Sequence, residues 1–295
     1  MTLDRRSTVP VSQFSQRSAA QNAAREITLS LFTRLRIRGL AVSVMTVSAA
    51  TALLILLTGH SLRGQAASDQ PAGTTKTNVK DGLTYVWIPP GAFMMGCSPG
   101  DKECNEDEKV VHKVTITKGF WLAQTPVTQA AYQRVIGDNP SVFKGDNRPV
   151  ENVTWAQANA YCEAAALRLP TEAEFEYAAR AGTTGILYGD IDAIAWYEKN
   201  SGKQTHDVAT KEPNAWKLYD VLGNVLQWTA DWYRHYEPSD LTDPEGPPAG
   251  PKNPLKALRG GGWGFKARFV RLSCRSGAIP PDRHFNYVGF RCVGK

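Results

Sequence analysis

Few residues in this 295-residue chain have the type and spacing to do chemistry. The five cysteines, Cys97, Cys104, Cys162, Cys274 and Cys292, all follow an uncharged apolar stretch, Leu40 to Thr58. An odd count leaves at least one thiol without an intrachain partner. Cys97 precedes and Cys104 falls within an acidic loop of Asp101, Glu103, Glu106, Asp107 and Glu108. With His112 they offer zinc ligands, but the spacing is not that of a zinc knuckle and thiols outside the cytoplasm oxidise. A local Cys97–Cys104 disulfide is expected. The acidic loop lacks EF-hand spacing and reads as solvated. In Asp220 to Trp228, Gly223 and Asn224 form a tight turn whose oxygens suit a hard cation. Asn224 and Gln227 are the weak calcium candidates there, against a purely structural turn under Trp228.

Other chemistries lack signatures. There is no Gly-x-Ser-x-Gly elbow for a nucleophilic serine. His112, His206, His235 and His284 are scattered and read as surface or loop histidines. No glycine-rich phosphate loop joins a strand to a helix. Gly260-Gly261-Gly262 before Trp263 is the most unusual run. Three glycines persist where φ is positive or a neighbour approaches the backbone closely, so the run reads as a bulged strand or sharp turn under a pocket. The alternative is an ordinary glycine-rich loop.

The elements that must position these residues follow from charge and pattern. Residues 1 to 63 hold eight Arg against Asp4 and Glu26, a charge of +6, which equals that of the whole chain. The body is therefore neutral, and nucleic-acid binding, which needs a basic face, is not expected. Residues 1–38 read as a disordered basic cytoplasmic tail. Residues 39–58 read as a transmembrane anchor, flanked by Arg34, Arg36 and Arg38, with a cleaved secretory signal as the alternative. Both put the body outside the cytoplasm, membrane-anchored or secreted. Residues 59–82 read as a linker and 83–295 as the folded domain. Strands are expected at Leu83–Ile88, Gly91–Gly96, Val110–Thr117 and Gly119–Ala123. Helices open at Thr128, at the capping box Thr154-x-x-Gln157 and at Thr171-x-x-Glu174. Thr183 to Pro254 reads as loops packed around Trp196, Trp216, Trp228 and Trp232, and Ala257 to Val293 as two or three strands.

One ordered set of motifs goes further. Trp87-Ile88-Pro89-Pro90-Gly91, Glu108 to His112, Thr125-Pro126-Val127-Thr128, Arg148-Pro149-Val150, Val153-Thr154-Trp155, Arg168 to Gly182, Gly223-Asn224-Val225, Leu258 to Trp263 and Gly289-Phe290-Arg291 occur in that order. Over residues 83 to 293 the chain resembles the formylglycine-generating enzyme, or sulfatase-modifying factor, family. The resemblance implies an α+β domain related to the C-type lectin fold, with much irregular structure. It implies a Cys162–Cys292 disulfide, leaving Cys274 over. Active members oxidise a sulfatase cysteine with O₂ and copper(I) held by two thiolates, the ligand type a soft ion prefers. The positions that match those thiolates are Phe265 and Val270, so copper is not expected. Where calcium-binding members carry Trp-Glu, this chain has Leu226-Gln227, which weakens that site. Iron-dependent relatives draw histidines from an added helical domain that this chain has no room for. If the pocket is kept, the resemblance lines it with Arg259, Trp263, Phe265, Lys266 and Arg268, whose charge suits an acidic or peptide ligand. The expected function is an extracytoplasmic ligand- or partner-binding module, or an enzyme of unknown reaction. The alternative is an active oxidase with an atypical metal site.

Overall fold

Residues 70–250, 254–275 and 277–295 are described in the computed structural model of the chain. The expected tail (1–38) and apolar segment (39–58) lie outside the described residues. Among the described residues no helix is long and apolar enough to cross a membrane. The expected linker is not all linker. Thr75–Thr77 forms β1, antiparallel to β2 (Thr84–Ile88). The two are joined by a turn in which the Gly82 N–H bonds the Asn78 carbonyl at 2.8 Å with φ +77°. β-Branched threonines favour that extended pairing.

The remaining strands are β3 (Gly91–Met95), β4 (His112–Ile116), β5 (Phe120–Ala123), β6 (Leu226–Trp232), β7 (Leu241–Thr242), β8 (Lys256–Arg259), β9 (Gly277–Ile279), β10 (Val288–Phe290) and β11 (Val293–Gly294). They make three small sheets, ordered β1-β2-β5-β11, β10-β6-β8-β9 and β3-β4-β7. The helices are α1 (Gln129–Ile136), α2 (Trp155–Ala164), α3 (Glu172–Arg180) and the single turn α4 (Ile191–Ile194).

The first three helices start where their caps require. The side chains of Thr128, Thr154 and Thr171 accept the N–H three residues on, and the last two complete capping boxes with Gln157 and Glu174. Gly137, left-handed, ends α1. Every residue of α3 is buried. An all-round buried helix that carries Glu172, Glu174, Glu176 and Arg180 needs partners for each charge, and that requirement organises the centre of the molecule.

Two apolar clusters surround it. One joins Ile88, Val114, Phe120, Phe175, Leu222 and Val270. The other joins Trp121, Tyr132, Tyr161, Trp228 and Phe290. The Cys162–Cys292 disulfide ties α2 to the C-terminal strands, and Cys97–Cys104 closes the start of the acidic loop. The stretch 183–254, expected as loops, holds the single turn α4 and the two-residue β7 and differs most at its centre. It contains β6, a seven-residue strand at the middle of its sheet, antiparallel to β8 and parallel to β10. Its inner position hides it from sequence pattern, because both faces are covered and the alternation that marks a half-buried strand is lost.

Candidate functional site

β8 ends at Arg259 and the chain then turns through Gly260 (φ +98°) and Gly261 (φ +68°). A Cβ on Gly260 would lie 2.7 Å from the Val221 carbonyl oxygen, and one on Gly261 would lie 2.8 Å from that of Phe269. The run is therefore the expected sharp turn, forced by close backbone neighbours. Those neighbours are packed protein, so the glycines make room for Val221 and Phe269 and not for a cavity.

Arg259 corrects the expected pocket lining. It is fully buried, pairs with Glu176 and donates to the Ser273 carbonyl at 2.7 Å. Glu176 also receives Arg180 at 2.8 Å, and Glu172 receives Arg275 at 2.7 Å. Burial alone would push the Glu172 carboxyl up, but the guanidinium groups of Arg275 and Arg259 outweigh it and hold it low. Arg259 is thus one member of a buried ionic network around α3, and its charge does not reach a ligand.

The other four residues assigned to the pocket remain near the surface. Trp263 is half-buried and its indole N–H donates to the Asn286 carbonyl at 3.0 Å. Its ring meets Phe143 edge-on at 5.5 Å. Phe265 meets Tyr287 at 5.6 Å, and Tyr287 stacks on Phe285 at 5.0 Å. Phe143 with Trp263, and Phe265 with Tyr287 and Phe285, therefore form two partly exposed aromatic groups, joined where the Trp263 indole bonds the Asn286 carbonyl. Lys266 and Arg268 are exposed beside them, with the Arg268 guanidinium 4.4 Å over the Phe269 ring. Phe143, Phe285 and Tyr287 carry no local signal, because Phe143 lies more than a hundred residues before Trp263 and the other two come from a separate loop about twenty residues after Phe265.

Phe265 and Val270 part company. Val270 is fully buried in the core, while Phe265 bridges the core and its aromatic group. The fifth cysteine, Cys274, lies outside both disulfides and is buried, its Sγ 4.0 Å from Asn105 Nδ2.

The calcium candidates are engaged by protein donors. Asn224 Oδ1 accepts the His206 N–H at 3.0 Å. Gln227 Oε1 accepts Arg291 Nε at 2.7 Å, while Gln227 Nε2 and Arg291 Nη2 both donate to the Asp220 carbonyl at 2.9 Å. A buried guanidinium thus supplies the positive charge at this turn, and the amides fit the structural reading of the stretch.

Residues 71–295 match the family model described as the sulfatase-modifying factor enzyme 1-like domain. The chain belongs to the sulfatase-modifying factor family. It is 33% identical over 203 residues to the formylglycine-generating enzyme of Mus musculus, covering 62% of this chain and 53% of that protein. It is also 33% identical to the formylglycine-generating enzyme of Streptomyces coelicolor, covering 57% of this chain and 59% of that one. The chain thus spans little more than half the length of these relatives. Among solved structures it is similar to Treponema denticola variable protein 1, with 29% identity, a TM-score of 0.66, and coverage of 75% of this chain and 98% of that one. It shares its fold with PvdO from Pseudomonas aeruginosa, with a TM-score of 0.67 and coverage of 77% and 99%. The mixed α and β content, with few helices, fits the α+β domain with much irregular structure that the resemblance implied.

Proposed function

We propose that this sulfatase-modifying factor domain is a binding module for an acidic peptide segment of a partner protein, and that it does not carry out copper-dependent cysteine oxidation. The observation that carries the reading is the pair at the expected thiolate positions. Phe265 contributes to an aromatic group and Val270 is core, and neither side chain has an atom that ligates copper(I). Cys274 supplies a single thiolate, and a linear two-sulfur site needs two.

Support for binding comes from the surface around Trp263. Half-buried rings offer large contact area at low entropic cost, and Lys266 and Arg268 stand exposed beside them. Cations beside an aromatic surface favour acidic segments containing apolar or aromatic residues. The two disulfides fit work in an oxidising compartment, with the body outside the cytoplasm and held at the membrane through residues 39–58.

The test is a titration of the purified protein with a fluorescein-labelled peptide of alternating Glu and Tyr. Binding that weakens about tenfold in Trp263→Ala, and falls with added salt in the wild type but less so in Lys266→Glu/Arg268→Glu, supports the reading. Equal affinity in all three proteins contradicts it.

A further inference from the structure

A second surface lies away from Trp263, at the outer edge of β3, whose sole strand partner among the described residues is β4. The hydrogen-bonding direction of each β3 residue follows from its β4 partner. Lys113 turns its N–H away from β3, toward Asp240 Oδ1 at 3.4 Å. Thr115 turns its carbonyl away from β3, to the Asp243 N–H at 2.8 Å. Lys113 is opposite Met94 and Thr115 opposite Ala92. Both are therefore non-hydrogen-bonded pairs of an antiparallel ladder, and Met94 and Ala92 direct their own N–H and C=O groups outward.

The same alternation brings Gly96 and Pro90 to the outer edge. Gly96 is already satisfied, its N–H by Glu176 Oε1 at 3.0 Å and its carbonyl by Arg180 Nη2 at 2.8 Å. Pro90 has no N–H to offer. Natural sheets blunt their edges with prolines and covering side chains. Here both ends of the edge are blunted, and the middle is open.

That open middle borders a cavity of about 430 Å³ whose walls include Ala92, Met94, Val111, Pro99, Tyr177 and Thr183. Met94 and Val111 are 53% and 41% exposed. The Phe93 and Tyr177 rings lie beside it with centroids 5.4 Å apart and a 42° tilt between their planes. The site combines apolar walls with main-chain donors and acceptors repeated every second residue. A lipid tail fills the first and leaves the second unmade. An added β-strand satisfies both.

We propose that the β3 edge is a β-augmentation site, which takes an extended partner segment of about five residues with apolar side chains at alternate positions. The segment pairs with Ala92 and Met94 and lays its apolar face into the cavity.

The test uses the full chain and a blocked, fluorescently labelled hexapeptide of alternating valine and threonine, with an N-methylated copy as control. The unmethylated peptide is expected to bind with a millimolar or better dissociation constant and the methylated one at least about tenfold more weakly. Ala92→Pro removes one outward N–H and keeps the β3–β4 ladder, since edge positions tolerate proline. It is expected to lower affinity about tenfold at an unchanged melting temperature. Met94→Glu, which sets a charge on the cavity wall, is the second variant and is expected to do the same. Equal binding of the two peptides, as simple apolar capture would give, overturns the proposal. So does unchanged affinity in folded Ala92→Pro and Met94→Glu, or no binding of the hexapeptide at millimolar concentration. Self-association of the wild type that Ala92→Pro abolishes, with no peptide bound, identifies a second copy as the occupant and overturns it equally.

Discussion

Arg259, the residue before the glycine run, is ion-paired with Glu176 at the middle of α3, and both side chains are fully buried. The pair fixes the loop that carries Trp263 and Phe265 to α3, every residue of which is buried. Breaking a buried pair from one side leaves an uncompensated charge. Arg259→Met strands Glu176 against Arg180 alone and weakens the support of Glu172. Its cost in urea denaturation is expected to be about 3–5 kcal/mol, whereas Lys266→Met, on an exposed side chain of the same loop, should change stability by less than about 0.5 kcal/mol.

The glycines of that loop should rank by what surrounds them. A Cβ on Gly260 meets the Val221 carbonyl at 2.7 Å and must also adopt φ +98°. On Gly264 it meets nothing within 4 Å. Gly260→Ala is expected to destabilise by more than about 1 kcal/mol and Gly264→Ala to be near neutral. Thermal denaturation of the two variants beside the wild type checks the order.

The two disulfides should differ in value because they close loops of different length. Cys162 and Cys292 are 130 residues apart and Cys97 and Cys104 are 7 apart. Loop-closure entropy gives about 4–5 kcal/mol for the long loop and about 2–3 kcal/mol for the short one. Cys162→Ser/Cys292→Ser should lose more stability than Cys97→Ser/Cys104→Ser, read by chemical denaturation without reductant.

Stability should fall as pH rises through neutrality. Burial pushes the Glu151 carboxyl up to about 7, against donation from the Phe143 N–H. Burial, then the nearby Glu172 carboxylate, pushes Asp231 up to about 7. Both folded values exceed the unfolded ones, so the native state binds more protons between pH 4 and 7. Stability from these groups is present at low pH and is lost as pH rises through 7. The wild type should be more stable at pH 5.5 than at pH 8, and Glu151→Gln should flatten that slope by about 1–2 kcal/mol. Denaturation midpoints at the two pH values decide it.

What the sequence reveals depends on how far apart the cooperating residues lie. α1, α2 and α3 are legible because Thr128, Thr154 and Thr171 cap them through contacts three residues away. The short Cys97–Cys104 loop is legible for the same reason. β6 is not, because its buried Gln227, Thr229 and Asp231 look like loop residues until Arg291, the Ala257 carbonyl and the Glu172 N–H supply their partners. Arg259 reads as a pocket-lining cation beside a glycine turn, since its partner Glu176 is 83 residues away. The Cys162–Cys292 link spans 130 residues and is reached through family resemblance. At the candidate site Trp263 and Phe265 stand out locally, but the rest of their two aromatic groups is assembled by tertiary structure.

The proposed reading is a binding surface around Trp263 with Phe265 and Val270, not thiolates, at the expected copper positions. The most direct measurement is the copper content of the purified protein after anaerobic reconstitution with Cu(I) and gel filtration, beside a Phe265→Cys/Val270→Cys variant. The account predicts background copper in the wild type and a gain in the double variant. Near-stoichiometric copper in the wild type, lost in Cys274→Ala, would contradict it.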